Sequence, residues 1–165
     1  MGCGEACFFF GGGAIDLDLA AFVEFNDGSR AVIQALGNGF GDYSMWPYVK
    51  LLGDDRTGSS STGEFININC DHWSEIERVL IYAFIYEGTP SWDKANAHVR
   101  ITLPDQPEIT GNLDSSSTKH GCCAIALLSN EYCATRASKE IRYFENQEPM
   151  DHAYGFGFRW QAGSK

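Results

Sequence analysis

Short stretches of alternating apolar and polar residues, broken by turn residues, run along most of the chain. The segment "AIDLDLAAFVEF" (14–25) ends on "NDG" (26–28), a strong hairpin signal, so it is predicted to pair with "SRAVIQAL" (29–36). Further strands are predicted at "YVKLL" (48–52), "EFININ" (64–69), "ERVLIYAFIYE" (77–87), "AHVRITL" (97–103), "PEITGNL" (107–113), "CCAIALLS" (122–129), "EYCATRA" (131–137) and "EIRYF" (140–144). No strand is predicted before residue 14. Residues 79–86 are apolar throughout, as expected of a central strand buried on both faces. A spacing of roughly ten residues with turns between predicts an all-β fold, a two-sheet antiparallel β-sandwich with one or two short helical turns. The turns are placed at "CDHWSEI" (70–76), with Asp71 as N-cap, and at "EPMDHAYG" (148–155), with Pro149 opening and Gly155 stopping the helix.

Length and charge narrow the function. A chain of 165 residues fits a single domain, 1–165, able to bury roughly two thirds of its unfolded surface. A net charge of −10 argues against nucleic acid, whose binders carry a basic face, and makes cations the expected charged ligands. No run of apolar residues is long enough for a membrane span, and the opening "MGCGEACFFFGGG" has no basic region of a signal peptide, so the expected location is cytoplasmic. In that setting the six cysteines are expected to be reduced thiols. Neither Cys3 and Cys7 nor Cys122 and Cys123 have the C-x₂-C spacing of a zinc grip. Cys122 and Cys123 are better read as small apolar residues on the two faces of one strand.

The candidate chemistry lies in carboxylates. Asp16 and Asp18 stand two apart on a predicted strand, so both emerge from one face while Ile15, Leu17 and Leu19 take the other. Asp54 and Asp55 stand side by side in "GDDRTGSSSTGE" (53–64), which also carries Glu64, and the only basic residue nearby is Arg56. Like charges so placed repel unless a cation lies between them. Calcium takes six to eight oxygens from carboxylates, carbonyls and water, and these segments supply oxygen donors, not the His or Cys that softer metals prefer. Against this, Asp and Gly are common in ordinary solvated turns, and the EF-hand pattern is missing. The four histidines, His72, His98, His120 and His152, lie in no recognised nucleophile motif, and the chain has no G-x-S-x-G or Gly-rich phosphate loop.

The segments "GAIDLDLAAFVEF", "GDDRTG…GEFININ", "RVLIYAFIYEG", "CAIALLSNEY", "EIRYF" and "MDHAYGFGFRW" resemble the TerD-type tellurium-resistance proteins, bacterial stress proteins, most nearly their TerA-like branch. The likeness runs from about Gly13 to Trp160. It implies a β-sandwich that binds calcium, with Asp16, Asp18, Asp54, Asp55, Thr57 and Glu64 as site positions and Asn38 in "ALGNGFG" as a carbonyl donor. In the TerD-like branch the loop after "TG" is acidic, whereas here it reads Ser59, Ser60, Ser61, Thr62, Gly63, Glu64. One well-occupied calcium is therefore expected, with a second weak or absent. The implied function is a calcium-binding, non-enzymatic scaffold of the stress response, with other stress-response proteins as partners and the oligomeric state open. The rival is a metal-dependent hydrolase using the same carboxylates.

Overall fold

The computed structural model describes residues 4–10, 16–52, 64–87, 92–95, 97–104 and 106–160, with backbone alone for 4–10, 16, 86, 87, 94 and 95. Its strands are β1 (Gly4–Phe10), β2 (Asp16–Phe25), β3 (Arg30–Ile33), β4 (Gly41–Asp42), β5 (Val49–Leu52), β6 (Glu64–Ile68), β7 (Ile76–Glu87), β8 (Ala97–Thr102), β9 (Ile109–Leu113), β10 (Cys122–Glu131) and β11 (Ala134–Phe144). The helices are α1 (Trp92–Ala95) and α2 (Gln147–Tyr154), with 3-10 turns at Leu36–Asn38 and Cys70–Glu75. One sheet has the order β4-β5-β6-β1-β8-β9 and the other β11-β10-β7-β2-β3. Every described pairing is antiparallel, which makes the expected sandwich.

Two apolar layers explain the order of burial. Between the sheets lie Leu17, Leu19, Ala21 and Val23 of β2, Val79 and Ile81 of β7, and Val49, Leu51, Ile66, Val99 and Ile101 from the facing sheet. On the outer face of the β2–β7–β10 sheet a second cluster gathers Ala20, Phe22, Leu80, Tyr82, Cys122, Met150 and Phe156. The centre of β7 is thus buried on both faces, as its apolar run predicts. Helix α2 and the residues after it supply the cover. Asn146 caps the start of α2, its side chain accepting from Glu148 N at 3.0 Å, and Gly155 stops it in the left-handed region at φ 72°. Phe22 is the hub, with ring centroids 4.7 Å from Tyr82, 5.4 Å from Phe156 and 4.9 Å from Phe158. Each such aromatic pair adds roughly 0.5–1.5 kcal/mol beyond the area it buries.

Several local expectations need correction. Residues 4–10 form a strand, and an interior one: Phe8 pairs with Glu64 of β6 and Val99 of β8. The Phe run favours a strand and the family's first strand would lie here, but the local pattern gave no alternation, and the partners that make it interior come from strands far along the chain. The predicted strands 131–137 and 140–144 are one strand, β11, with Ser138 and Lys139 inside the ladder opposite Leu127 and Ala126. Because β11 is an edge strand, polar side chains there remain in solvent, and a polar pair does not break it. The hairpin turn falls instead at Tyr132 and Cys133, both with positive φ (53° and 66°), with Asn130 Oδ1 accepting from Cys133 N at 2.8 Å. The strand predicted over 29–36 stops at Ile33 and is followed by the 3-10 turn at Leu36–Asn38. The cap of the turn at Cys70–Glu75 is Asn69, which accepts from Asp71 N, and not Asp71 itself.

Candidate metal site

The end of the sandwich where β2 begins and β5 leads into β6 is built by a mismatch in strand lengths. The β3 partner of β2 stops at Ile33, opposite Ala21. The start of β2 therefore extends past the strand that should cover its edge. Leu19 N–H, on that overhang, donates instead to Glu64 Oε2 at 2.5 Å, a link from the first residue of β6 in the facing sheet. A carboxylate accepting a backbone N–H in a buried setting is a strong, charge-assisted bond. It clasps the two sheets together at this corner.

Beside that clasp stands Asp18. Its register partner on β7 is Phe84, and alternation along β2 puts it on the outer face with Ala20 and Phe22, opposite core Leu17 and Leu19. Asp18 is 7 % exposed and Glu64 3 % exposed, two buried carboxylates contributed by opposite sheets. Charged groups are almost never so buried without partners, and Glu64 has one in Leu19 N–H. Asp16 pairs through its backbone with Glu87, and its side chain is outside the described residues. Asp54, Asp55 and Thr57 also lie outside the described residues. Their anchors do not: Leu52 faces Phe65 across the β5–β6 ladder, so residues 53–63 leave from and return to adjacent positions, next to Glu64. Asn38 is exposed, with its backbone in the left-handed region at φ 56°. It follows β3, which runs toward the overhang of β2. Among the described residues no group of three or more His, Cys, Asp or Glu side chains is gathered for a metal. The described part of the corner thus holds two buried carboxylates, Asp18 on the outer face of its sheet and Glu64 bonded across the sandwich to Leu19 N–H, and leaves Asn38 at the surface. Its donors are oxygens, which suits a hard cation.

Two of the described thiols lie apart, in the core. Cys122 and Cys123 are fully buried, and Cys122 Sγ lies 3.9 Å from Met150 Sδ. Burial pushes the Cys122 thiol well above its ordinary range, with the neighbouring Cys123 adding to the rise, and pushes Cys123 up to about 12. Neither is a thiolate at neutral pH, so neither is a nucleophile.

No family model matches the chain. Over 152 residues, 92 % of its length, it is 53 % identical to the tellurium resistance protein TerA of Alcaligenes sp.. Over that stretch the chain is a relative of TerA. It spans 45 % of that TerA protein, less than half of the relative's length. A solved homologue of telluride resistance protein (TerD) from Streptomyces coelicolor A3(2) superposes with a TM-score of 0.67 at 16 % identity, over 90 % of this chain and 94 % of that one. A solved protein of unknown function gives a TM-score of 0.64 at 15 % identity, over 95 % and 98 %. At such identities the two structures establish a shared fold.

One residue of the TerA-like chain carries more structure than the sequence revealed. Asp151, in the middle of α2, is fully buried, and its carboxylate accepts from Gly157 N and Phe158 N, each at 2.9 Å, and from Trp160 Nε1 at 2.7 Å. This folds the "GFGFRW" tail back over the outer aromatic cluster. Arg78 holds the same tail from the sheet side. Its Nη2 meets Glu24 Oε2 at 2.8 Å, its Nη1 donates to Tyr154 O at 2.6 Å, and the guanidinium lies 3.9 Å from the Phe156 ring centroid. The available signal was an Asp inside a helix, where its intrinsic propensity is poor and a separate task is implied.

Proposed function

We propose that this chain is the calcium-binding module of a tellurium-resistance and stress-response protein, acting as a scaffold and not as an enzyme. The observation that carries the reading is buried Glu64, which opens β6 beside the two anchors of the "GDDRTG" segment, with Asp18 also buried near the start of β2. In the proposal Asp16, Asp18, Asp54 and Asp55 hold one calcium ion, with Thr57, Glu64 and the Asn38 carbonyl completing the oxygen shell. Calcium would neutralise repelling carboxylates and order the loops at this end, presenting a surface to other stress-response proteins. The name of the TerA relative supports the tellurium-resistance setting. No observation at the corner favours the rival reading, a metal-dependent hydrolase. Because the chain is shorter than its relative, partners and any activity of a whole TerA protein belong to the proposal as well.

Calorimetric titration of the calcium-stripped chain tests this. The expected result is one saturable calcium step, weakened strongly by Asp16→Asn or Asp54→Asn and little by Asp93→Asn. Ser61→Asp with Thr62→Asp should add a second step by restoring ligand charge. At calcium about a hundredfold above the dissociation constant, the fold should gain about 2.7 kcal/mol. A melting temperature indifferent to calcium and chelator would sink the reading. Equal losses from the three single variants would show that bulk charge alone matters.

A further inference from the structure

An open groove of about 430 Å³ at the β8–β9 edge of its sheet is lined by His98, Val99, Arg100, Thr110, Gly111, Asn112 and Lys139. In a chain with 22 acidic and 12 basic residues, this lining contains no carboxylate and gathers Arg100, Lys139 and an imidazole. The arrangement follows from the ladder. His98 pairs with Asn112 and Arg100 with Thr110 across β8 and β9, so the four side chains share one face. Lys139 comes from the other sheet, on β11. It comes from the opposite face to those four, along Gly111, where an added Cβ would lie 3.4 Å from Lys139 Cε, 3.2 Å from Ile141 Cδ1 and 3.5 Å from core Val99 Cγ1. The absence of a side chain at 111 is what lets the lysine stem lie against the strand.

The donors point to an anion. His98 Nδ1 is hydrogen-bonded to Asn112 Oδ1, and a carbonyl oxygen only accepts, so Nδ1 carries the proton and the Asn112 amide nitrogen keeps its two N–H donors. Arg100 contacts Glu108 through Nε, 3.2 Å from Oε1, in a pair about half exposed on both sides. Such a pair is worth little, and one contact does not exhaust five guanidinium donors. Thr110 adds a hydroxyl. The overall negative charge does not forbid an anion here, because at physiological salt the field of distant charges is screened within about 8 Å and the local lining decides.

We infer that the β8–β9 groove binds a small oxyanion, held by Arg100 and Lys139 from either side with Thr110 and Asn112 as neutral donors. The site is separate from the β2–β6 corner and does not depend on calcium. The test is an NMR titration of the ¹⁵N-labelled chain, in calcium-free buffer at constant ionic strength. One arm uses inorganic phosphate and the other tellurite, the latter because the relative is named for tellurium. The expected result is saturable shifts of the backbone amides of residues 98–100 and 110–112 and of Lys139, in the millimolar range. Arg100→Gln and Lys139→Gln should each weaken binding roughly two- to fivefold, and Glu108→Gln should tighten it by a similar factor. Saturation by one anion alone supports the site and names its ligand. Shifts that chloride reproduces, that never saturate, or that ignore all three substitutions would overturn it. All three residues are exposed, so the variants should keep the dispersed spectrum of the parent.

Discussion

Asp151→Asn removes one charge and one acceptor from a fully buried site and leaves its shape nearly unchanged. The carboxylate serves three donors, Gly157 N on Oδ1 and Phe158 N with Trp160 Nε1 on Oδ2. An asparagine has one oxygen. Placed at the Oδ2 position, it keeps two of the bonds in weaker, uncharged form and turns its NH₂ toward Gly157 N–H, so that donor faces donor. Losing a hydrogen bond to a charged group costs about 1.5–3 kcal/mol, and a buried donor left unpaired adds about 1–3 kcal/mol. Relief from burying a charge offsets part of this. The net expected loss is about 2–4 kcal/mol, a fall in melting temperature of roughly 6–12 °C for a chain of this size. Trp160 adds a local reporter, because its indole N–H is one of the three donors. Thermal unfolding followed by circular dichroism, with tryptophan emission in parallel, should show the lower midpoint and a red shift that begins before it. The control is Asp114→Asn at an exposed carboxylate, expected to stay within about 0.5 kcal/mol. A midpoint within about 2 °C of the parent together with unchanged emission would refute the idea that this carboxylate holds the tail.

Further predictions follow from single contacts. Burial raises Cys123 from 9.0 to about 12, and raises Cys122 and Tyr82 as well. Groups raised in the folded state give stability that is complete below their unfolded values and lost above them, so chemical denaturation should show stability falling as pH rises from about 9 toward 12. A flat profile would contradict the burial. Peptide mapping after brief alkylation at neutral pH should find exposed Cys133 modified and Cys122 and Cys123 intact. Gly41→Ala should destabilise strongly, because Gly41 has φ 79° and an added Cβ would meet Val49 O at 2.0 Å; a loss below about 1 kcal/mol by denaturation would show that the β4–β5 ladder yields. In calcium-free solution Glu64→Ala should cost about 1–3 kcal/mol by orphaning Leu19 N–H, while Glu64→Gln, whose carbonyl still accepts, should recover most of it. Equal losses would assign Glu64 a purely electrostatic role.

Much of this was legible from local pattern. The alternation in β8, the long apolar run in β7, the "NDG" turn and the Gly155 stop each depend on neighbours a few residues away, where the pleat and the helix period act directly on the sequence. The same alternation set Leu17 and Leu19 on the face opposite Asp18, and both leucines are in the core between the sheets. What escaped depends on residues far apart in the chain. "GEACFFF" is an interior strand only because β6 and β8 offer hydrogen bonds on both of its sides. "ASKEI" continues β11 because it lies at a sheet edge, where polar side chains reach water. Glu64 could be named as an acid from the sequence, but its bond to Leu19 N–H exists only because β3 ends before β2 begins. Asp151 and the β8–β9 groove are of the same kind: a buried carboxylate finds its donors, and Lys139 finds Gly111, only after the sheets have packed, since contacts between distant residues are chosen by the packing of the whole chain and not by the period of any one segment.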